Sequence, residues 1–421
     1  MDPRKLPEGR LGRLARLAGL GARASADALL SGDGHQAVAR QAAEVLGTMR
    51  GLAAKVGQMA SYVDGVVPEE HHAHYEGALR VLRAAAPTSS PEDVRRVLVE
   101  DLGAEPEALF ATWDETPIAS ASIGQVHRAT LHDGREVAVK VQHPGIDRAV
   151  ESDLDNAGSL QVMLGALSPR SLETKRTYDE IRERFLEELD YGLEAERTEA
   201  FARIHEGDPT IRIPAVVRER CAKRVITTEF MRGRTLDEAA AATEDERRAW
   251  AETMWRYVFR GTLIGHMFNA DPHPGNYLLQ DGGRIAFLDH GCVQPVLVDN
   301  HAKATELHRA ALDRDEDRFR SAVIALLGTR RGSHEERATA YTRRCFAPLF
   351  DSPFRIERPF VAGLVREMRE IGQAAFKKES NAVALPPGMV FMNRLQFGFY
   401  SVLARLDVKV DYARVERSFL R

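Results

Sequence analysis

The chain has 421 residues, 44% hydrophobic and 29% charged, with a net charge of −4. That length can bury a large core divided into two or three structural units, and the missing basic excess argues against nucleic acid as a partner. Three cysteines far apart without a CxxC pair, and no apolar run long enough for a membrane span, predict a cytoplasmic protein in a reducing compartment.

The first segment, "RLGRLARLAGLGARA", mixes Arg10, Arg13, Arg16 and Arg23 with Leu11, Leu14, Leu17 and Leu20. Such a stretch suits an anionic bilayer surface or docking on its own protein, and its glycines and drifting leucines favour docking. From about Asp27 to Arg83 the pattern is helical, so residues 1–88 read as a helical extension. Ser90 then supplies an N-cap, Pro91 a first helical position and Gly103 a stop, which opens a second unit taken as residues 89–230. "QVHRATL", a His132-Asp133-Gly134 turn and "REVAVKVQ" predict a hairpin. A long charged helix is predicted from Thr177 to Arg203, with Ile181, Phe185, Leu189 and Leu193 in one stripe. "IRIPAVV" and "KRVITTEFM" read as two further strands. Residues 231–421 read as mainly helical, except that two short strands flank Asp281-Gly282-Gly283; "PPGMVFMNRLQFGFYSVLARL" reads as a buried or interfacial helix.

Laid on the kinase glycine-loop pattern GxGxxGxV, "IASASIGQVHRA" puts Ala119, Ala121, Gly124 and Val126 on the four specified positions, with Ser120 and Ser122 between them and Lys140 downstream in "VAVK". The loop alone fits plain sheet better than a nucleotide site. Asp271 precedes Asn276 by the interval of the kinase catalytic loop, and Asp289 in "FLDHG" stands where kinases carry DFG. These groups suit phosphoryl transfer: Asp271 orients or deprotonates the nucleophile, while Asn276 and Asp289 hold Mg²⁺ against the phosphates of ATP or ADP. Each fragment also has a bland reading as a Pro- and Gly-rich turn or a helix cap, but the joint order of loop, lysine, acidic helix, D-x4-N and DxG decides for a kinase-like site. Alanine discourages positive φ and holds the backbone off a ligand, so the loop is expected to grip phosphate differently from a glycine loop.

"LAAKVGQMAS", "IASASIGQVHRA", "VAVKVQHPGI", "EELDYGLEAER", "ADPHPGN" and "LDHG" resemble the successive signatures of the UbiB family of atypical kinase-like proteins, also called AarF or ADCK. The resemblance implies an α+β, bilobal protein-kinase-like fold, with a small β-sheet N-lobe, a helical C-lobe and an N-terminal extension carrying a KxGQ motif, here Lys55 to Gln58. It also implies Mg²⁺-dependent ATP or ADP binding, ATPase or kinase-like activity, and links to isoprenoid quinone or other membrane lipids. Carried over residue by residue, Lys140 holds the α and β phosphates and pairs with Glu194. Glu188 and Asp190 match the pair of acids that faces Lys55 and Gln58, with Asp190 and Glu194 expected on one helix face. Glu229 and Met231 lie near the adenine. His290 replaces the apolar residue of DFG, as a hydrogen-bonded or pH-responsive substitute. A KxGQ helix across the cleft predicts slow ATP hydrolysis, or phosphorylation of something small or internal. A C-terminal transmembrane pair of the kind some relatives carry is not expected, which leaves peripheral membrane contact open. A nucleotide-binding scaffold without turnover, and a small-molecule phosphotransferase of the aminoglycoside or choline kinase type, stand as alternatives.

Overall fold

A computed structural model describes residues 89–121, 123–152, 154, 179, 182–329, 331–376 and 389–420. The helical extension, with Lys55 and Gln58, and Ser122 lie outside the described residues. The described chain is mixed α+β and forms two compact units, one of residues 89–192 and 217–229, the other of residues 193–216 and 230–420.

The first unit opens with α1 (Pro91–Leu102). The Ser90 side chain accepts from the Asp93 amide, Pro91 occupies the first turn, and Gly103 ends the helix in the left-handed conformation at φ 77°. After α2 (Pro106–Leu109) come β1 (Thr112–Trp113), β2 (Ala119–Ser120), β3 (Gly124–Thr130) and β4 (Glu136–Gln142). β3 and β4 form the expected hairpin, Thr130 opposite Glu136, with Gly134 at φ 87° in its turn. Strand alternation on β4 buries Val137, Val139 and Val141 against Val94, Val97 and Leu98 of α1. Lys140 therefore stands on the opposite face, in register with Val126 of β3.

The single helix expected from Thr177 to Arg203 is not continuous. Residues 182–187 are helical, 188–190 turn, and a new helix, α3 (Tyr191–Ile204), begins. The Asp190 carboxylate accepts from the Gly192 amide at 2.9 Å, as an N-cap does, and the Tyr191 amide donates to the Lys223 carbonyl at 2.8 Å. Asp190 thus precedes the first turn of α3, and Asp190 and Glu194 do not share a face of one long helix.

β5 (Ile211–Arg212) belongs to the second unit, whereas β6 (Val225–Glu229) completes the first unit's sheet by pairing with β4. In the second unit, α4 (Glu244–Leu263) starts with a capping box of Thr243 and Glu246 and buries Trp250, Met254, Trp255 and Tyr257. Two small sheets follow. β7 (Met267–Asn269) pairs antiparallel with β10 (Val293–Pro295), and β8 (Tyr277–Leu279) pairs with β9 (Ile285–Phe287), which also takes β5 in parallel. Helices α5 (Val298–Asp313), α6 (Glu316–Leu327), α7 (Ser333–Cys345), α8 (Arg358–Phe376), α9 (Met389–Leu406) and α10 (Tyr412–Arg417) make up the rest, apart from one short helical turn and a two-stranded pairing. The helix read from "PPGMVFMNRLQFGFYSVLARL" is α9, with Leu395, Phe399, Tyr400 and Leu403 buried. Among the described residues no helix is long and apolar enough to cross a membrane.

Glu416 of α10 is fully buried and joins two other helices: its carboxylate accepts from Trp255 Nε1 of α4 at 3.1 Å and lies 2.6 Å from His308 Nδ1 of α5. Hydrogen bonds to a charged group are worth about 1.5–3 kcal/mol each, and their loss leaves the partners dry and unmatched. Glu416→Ala should therefore lower the unfolding free energy by about 3 kcal/mol, and Glu416→Gln by less, as read from urea unfolding curves.

Candidate functional site

In the first unit the "IASASIGQVHRA" stretch is a hairpin. Ala119 pairs with Val126 and Ser120 with Gln125, the Ile118 amide donates to the Val126 carbonyl at 2.8 Å, and the Ala121 amide donates to the Gly124 carbonyl at 2.7 Å. Among the described residues Ala119, Ala121 and Gly124 all have negative φ. The alanines therefore sit where extended backbone suits them, and glycine is not required there for conformation. Gly124 is required for space. A Cβ at this position would come within 2.5 Å of the Val141 carbonyl oxygen and 2.8 Å of the Tyr191 hydroxyl. The same Tyr191, fully buried, carries the Lys140 ammonium 4.8 Å from its ring centre, a cation–π contact on the face of β4 away from the core. Glu229 ends β6 opposite Val137, and Met231 lies just beyond the strand. Glu188 is buried, in the turn before α3.

The second unit gathers Asp271, Asn276, Asp289 and Glu194. The β8–β9 pairing matches Tyr277 to Phe287, and beyond it the Leu288 amide donates to the Asn276 carbonyl at 3.0 Å, so Asn276 and Asp289 come together at one end of a short hairpin. The Asn276 carboxamide donates from Nδ2 to Asp271, 3.1 Å from its carbonyl and 3.4 Å from its carboxylate. Asn269, at the end of β7, accepts from the Asp271 amide at 2.9 Å and donates to the Asp289 carbonyl at 2.5 Å. The Asp289 carboxylate accepts from the Gly291 amide at 2.9 Å. A Cβ on Gly291 would lie 3.2 Å from Asp289 Oδ1 and 3.5 Å from Glu194 Oε2, which places the buried Glu194 carboxylate beside the DHG segment. All the side-chain donors offered here are amide or carboxylate oxygens, a hard set that fits Mg²⁺ better than a thiophilic metal.

α3 holds this segment along its length. Arg197 donates to the Gly291 carbonyl at 2.9 Å, and the Thr198 hydroxyl lies 3.3 Å from His290 Nδ1. His290 is fully buried against the rings of Phe201 (4.9 Å between centroids) and Tyr257 (6.4 Å). An imidazole thus occupies a nest of aromatic rings where an apolar side chain fits the motif, with a hydroxyl partner for one nitrogen. His205, one turn beyond Phe201, stacks on Tyr257 and has no hydrogen-bond partner at either ring nitrogen. Burial pushes it down to about 3, with the nearby Arg260 adding to the effect and Asp208 opposing it.

Tyr191, Asn269 and Arg197 were not singled out by sequence reasoning. Asn269 adjoins the "ADPHPGN" motif, and an amide two residues before Asp271 is the signal that could have found it. The roles of Tyr191 and Arg197 depend on contacts with residues distant in the chain and leave no local trace.

The ABC1 atypical kinase-like domain model matches residues 81–323. The chain belongs to this family, which is the UbiB, AarF or ADCK family of the sequence resemblance. Its kinase-like α+β fold follows from that membership and from likeness to a solved structure. That structure, of Rv3197 from Mycobacterium tuberculosis in complex with erythromycin, matches with a TM-score of 0.62 and 28% identity over 87% of this chain and 92% of its own. The atypical kinase COQ8B, mitochondrial, of Rattus norvegicus is 31% identical over 75% of this chain and 62% of its own length. AarF domain-containing protein kinase 1 of Mus musculus is 34% identical over 62% of this chain and 50% of its own. The chain thus spans about half to three-fifths of the length of these curated relatives.

Two outcomes test this reading of the UbiB-like site. Gly124→Ala should cost about 1–3 kcal/mol through overpacking against a backbone carbonyl that cannot yield, measured by denaturant unfolding. His205, neutral when folded and held below its ordinary value, takes up its proton more readily in the unfolded chain, so its contribution is present above about pH 6.5 and is lost as pH falls toward 3. Over that window the wild type should lose stability up to about 1.4 kcal/mol per pH unit faster than His205→Phe, read from unfolding curves at successive pH values.

Proposed function

We propose that this UbiB-family chain binds Mg²⁺ and ATP and hydrolyses ATP slowly, or transfers its phosphoryl group to a small or internal acceptor, in support of isoprenoid quinone or other lipid metabolism. The observation that carries the reading is the network of Asp271, Asn276 and Asp289 held through Asn269. Three residues with oxygen-bearing side chains stand there at kinase spacing on backbone held in place by hydrogen bonds, and preorganisation of this kind is what phosphoryl transfer asks of a protein.

In this reading Asn276 and Asp289 would hold Mg²⁺, which when bound neutralises charge on the phosphate oxygens. Asp271 orients the attacking hydroxyl or water and accepts its proton. Lys140 binds the α and β phosphates, with the Tyr191 ring beneath its ammonium limiting the directions it can point. By the sequence resemblance Glu194 is the acid assigned to Lys140, and Glu188 and Asp190 are those assigned to the KxGQ motif of Lys55 and Gln58. Glu229 and Met231 border the adenine, and the 119–126 hairpin covers the phosphates. The two-stranded pairing of Ala119 and Ser120 favours a restrained loop, hence slow turnover. The name of the COQ8B relative supports the link to quinone metabolism, and peripheral contact with a membrane belongs to the same proposal.

Phosphate release by the purified chain, with and without phospholipid vesicles, tests it against Asp289→Asn. Removing one charged metal ligand forfeits several kcal/mol of transition-state stabilisation, so the variant should fall by at least about a hundredfold. Equal background release from both proteins would replace the enzyme by a nucleotide-binding scaffold.

A further inference from the structure

Strand alternation turns Gln125, His127 and Ala129 of β3 to the core face, opposite Val141, Val139 and Val137 of β4. Two of these three inward positions carry polar side chains, each only 1% exposed, where their cross-strand partners are valines. A dry polar group costs about 1–3 kcal/mol unless it is matched, so the question is what Gln125 and His127 hold.

The two side chains form a hydrogen-bonded chain with one direction. His127 Nδ1 lies 2.8 Å from the Asp114 carbonyl, which can only accept, so this nitrogen carries the proton and Nε2 of the neutral ring is an acceptor. Gln125 donates to it from its own Nε2 at 2.9 Å. The Gln125 carboxamide oxygen accepts from the Ser89 amide at 2.8 Å, and its Nε2 is 3.5 Å from the Ser89 carbonyl. A backbone amide can only donate, so the orientation of the carboxamide is dictated from both ends. The Ser89 hydroxyl lies 2.8 Å from His143 Nδ1, and the His143 amide donates to the Ile123 carbonyl at 3.0 Å. The chain entering α1 is thereby clasped to the strand that carries Gly124 and pairs Gln125 with Ser120 in the 119–126 hairpin.

We propose that Gln125 is the positioning residue of the 119–126 hairpin, seating it on the Ser89 backbone only while His127 is neutral, and that opening this clasp loosens the hold on nucleotide. The second half rests on the reading of the hairpin as a phosphate cover; the first does not. A protonated His127 has donors at both nitrogens, so Gln125 must turn its oxygen to the ring, and its amino group then meets the Ser89 amide donor to donor. Around the ring, Asp114 is the charged group beside β1, Trp113 stacks at 4.7 Å, Val139 faces it from β4, and His143 is the titratable group at the far end of the chain. Burial holds the imidazole below its ordinary value, against the Asp114 carbonyl and charge, which pull the other way. Folding therefore favours the neutral ring, and the clasp is closed at neutral pH and opens as pH falls through the folded value.

Three measurements on the whole chain test it: the His127 tautomer by nitrogen NMR, amide hydrogen exchange at Ile118 and Ala121 as a function of pH, and titration with a fluorescent ADP and Mg²⁺. The wild type should show His127 protonated at Nδ1 and bare at Nε2, with hairpin exchange, corrected for its intrinsic pH dependence, quickening in acid. Gln125→Ala should exchange about tenfold faster at both amides, the equivalent of one good hydrogen bond, and bind the ADP about fivefold more weakly. Gln125→Glu supplies an oxygen to both neighbours and so requires a protonated His127. Its ring should keep the proton to higher pH than in the wild type, and its hairpin should be seated in acid and loosen as pH rises, the reverse of the wild-type profile. A wild-type ring protonated at Nε2 alone, unchanged exchange in folded Gln125→Ala, or a Gln125→Glu profile like that of the wild type would each overturn the proposal. Should Gln125→Ala fail to fold, the tautomer and the Gln125→Glu profile decide. A loosened hairpin that binds the ADP as tightly as the wild type would overturn the link to nucleotide. No ADP binding by the wild type, with tautomer and exchange as expected, would overturn the nucleotide reading of the site and support the clasp.

Discussion

The candidate chemistry of this chain depends on one carboxamide. Asn269 accepts from the amide of Asp271 and donates to the carbonyl of Asp289, so it fastens two irregular segments that regular secondary structure could not hold in register. The β7–β10 and β8–β9 pairings are each only three residues long and serve as struts on either side. An aspartate used in catalysis must stand on a loop to reach a substrate, yet a loop alone is too soft to position it. Asn269 resolves that conflict by lending the loop the stiffness of a strand end.

The two units solve different problems with different materials. In the first, a small antiparallel sheet is backed by one capped helix, and alternation on β4 sends valines inward and Lys140 to the other face. In the second, α4 supplies an aromatic core against which short strands and later helices pack, and Glu416 ties the last helix to it. The alanine-bearing hairpin belongs to the first pattern. Its residues pair as strand, so the substitutions that look like damage to a glycine loop are instead consistent with an ordinary extended backbone.

Features set by neighbours in the chain were legible from sequence. The cap at Ser90, the stop at Gly103, the β3–β4 hairpin and the paired strands around Asp281 rest on turn and capping chemistry within a few residues. The kinase spacing of Asp271, Asn276 and Asp289 was legible for the same reason. The unbroken helix through residue 190 was misread because a four-residue apolar stripe outweighed the capping signal of Asp190 ahead of Tyr191-Gly192. The aromatic nest of His290 and the seat of Lys140 on Tyr191 were out of reach, since each joins residues dozens of positions apart that only tertiary packing brings into contact.

Helix α3 meets the DHG segment at successive turns, through Glu194 beside Gly291, Arg197 on its carbonyl and Thr198 next to His290. Protein kinases are switched by repositioning the helix that carries the glutamate partner of the phosphate-binding lysine, which demands that this helix swing independently of the metal-binding aspartate. Here Glu194 and Asp289 ride on one fastened block. Any displacement of the DHG segment is therefore passed directly to α3 and to the residues that helix carries.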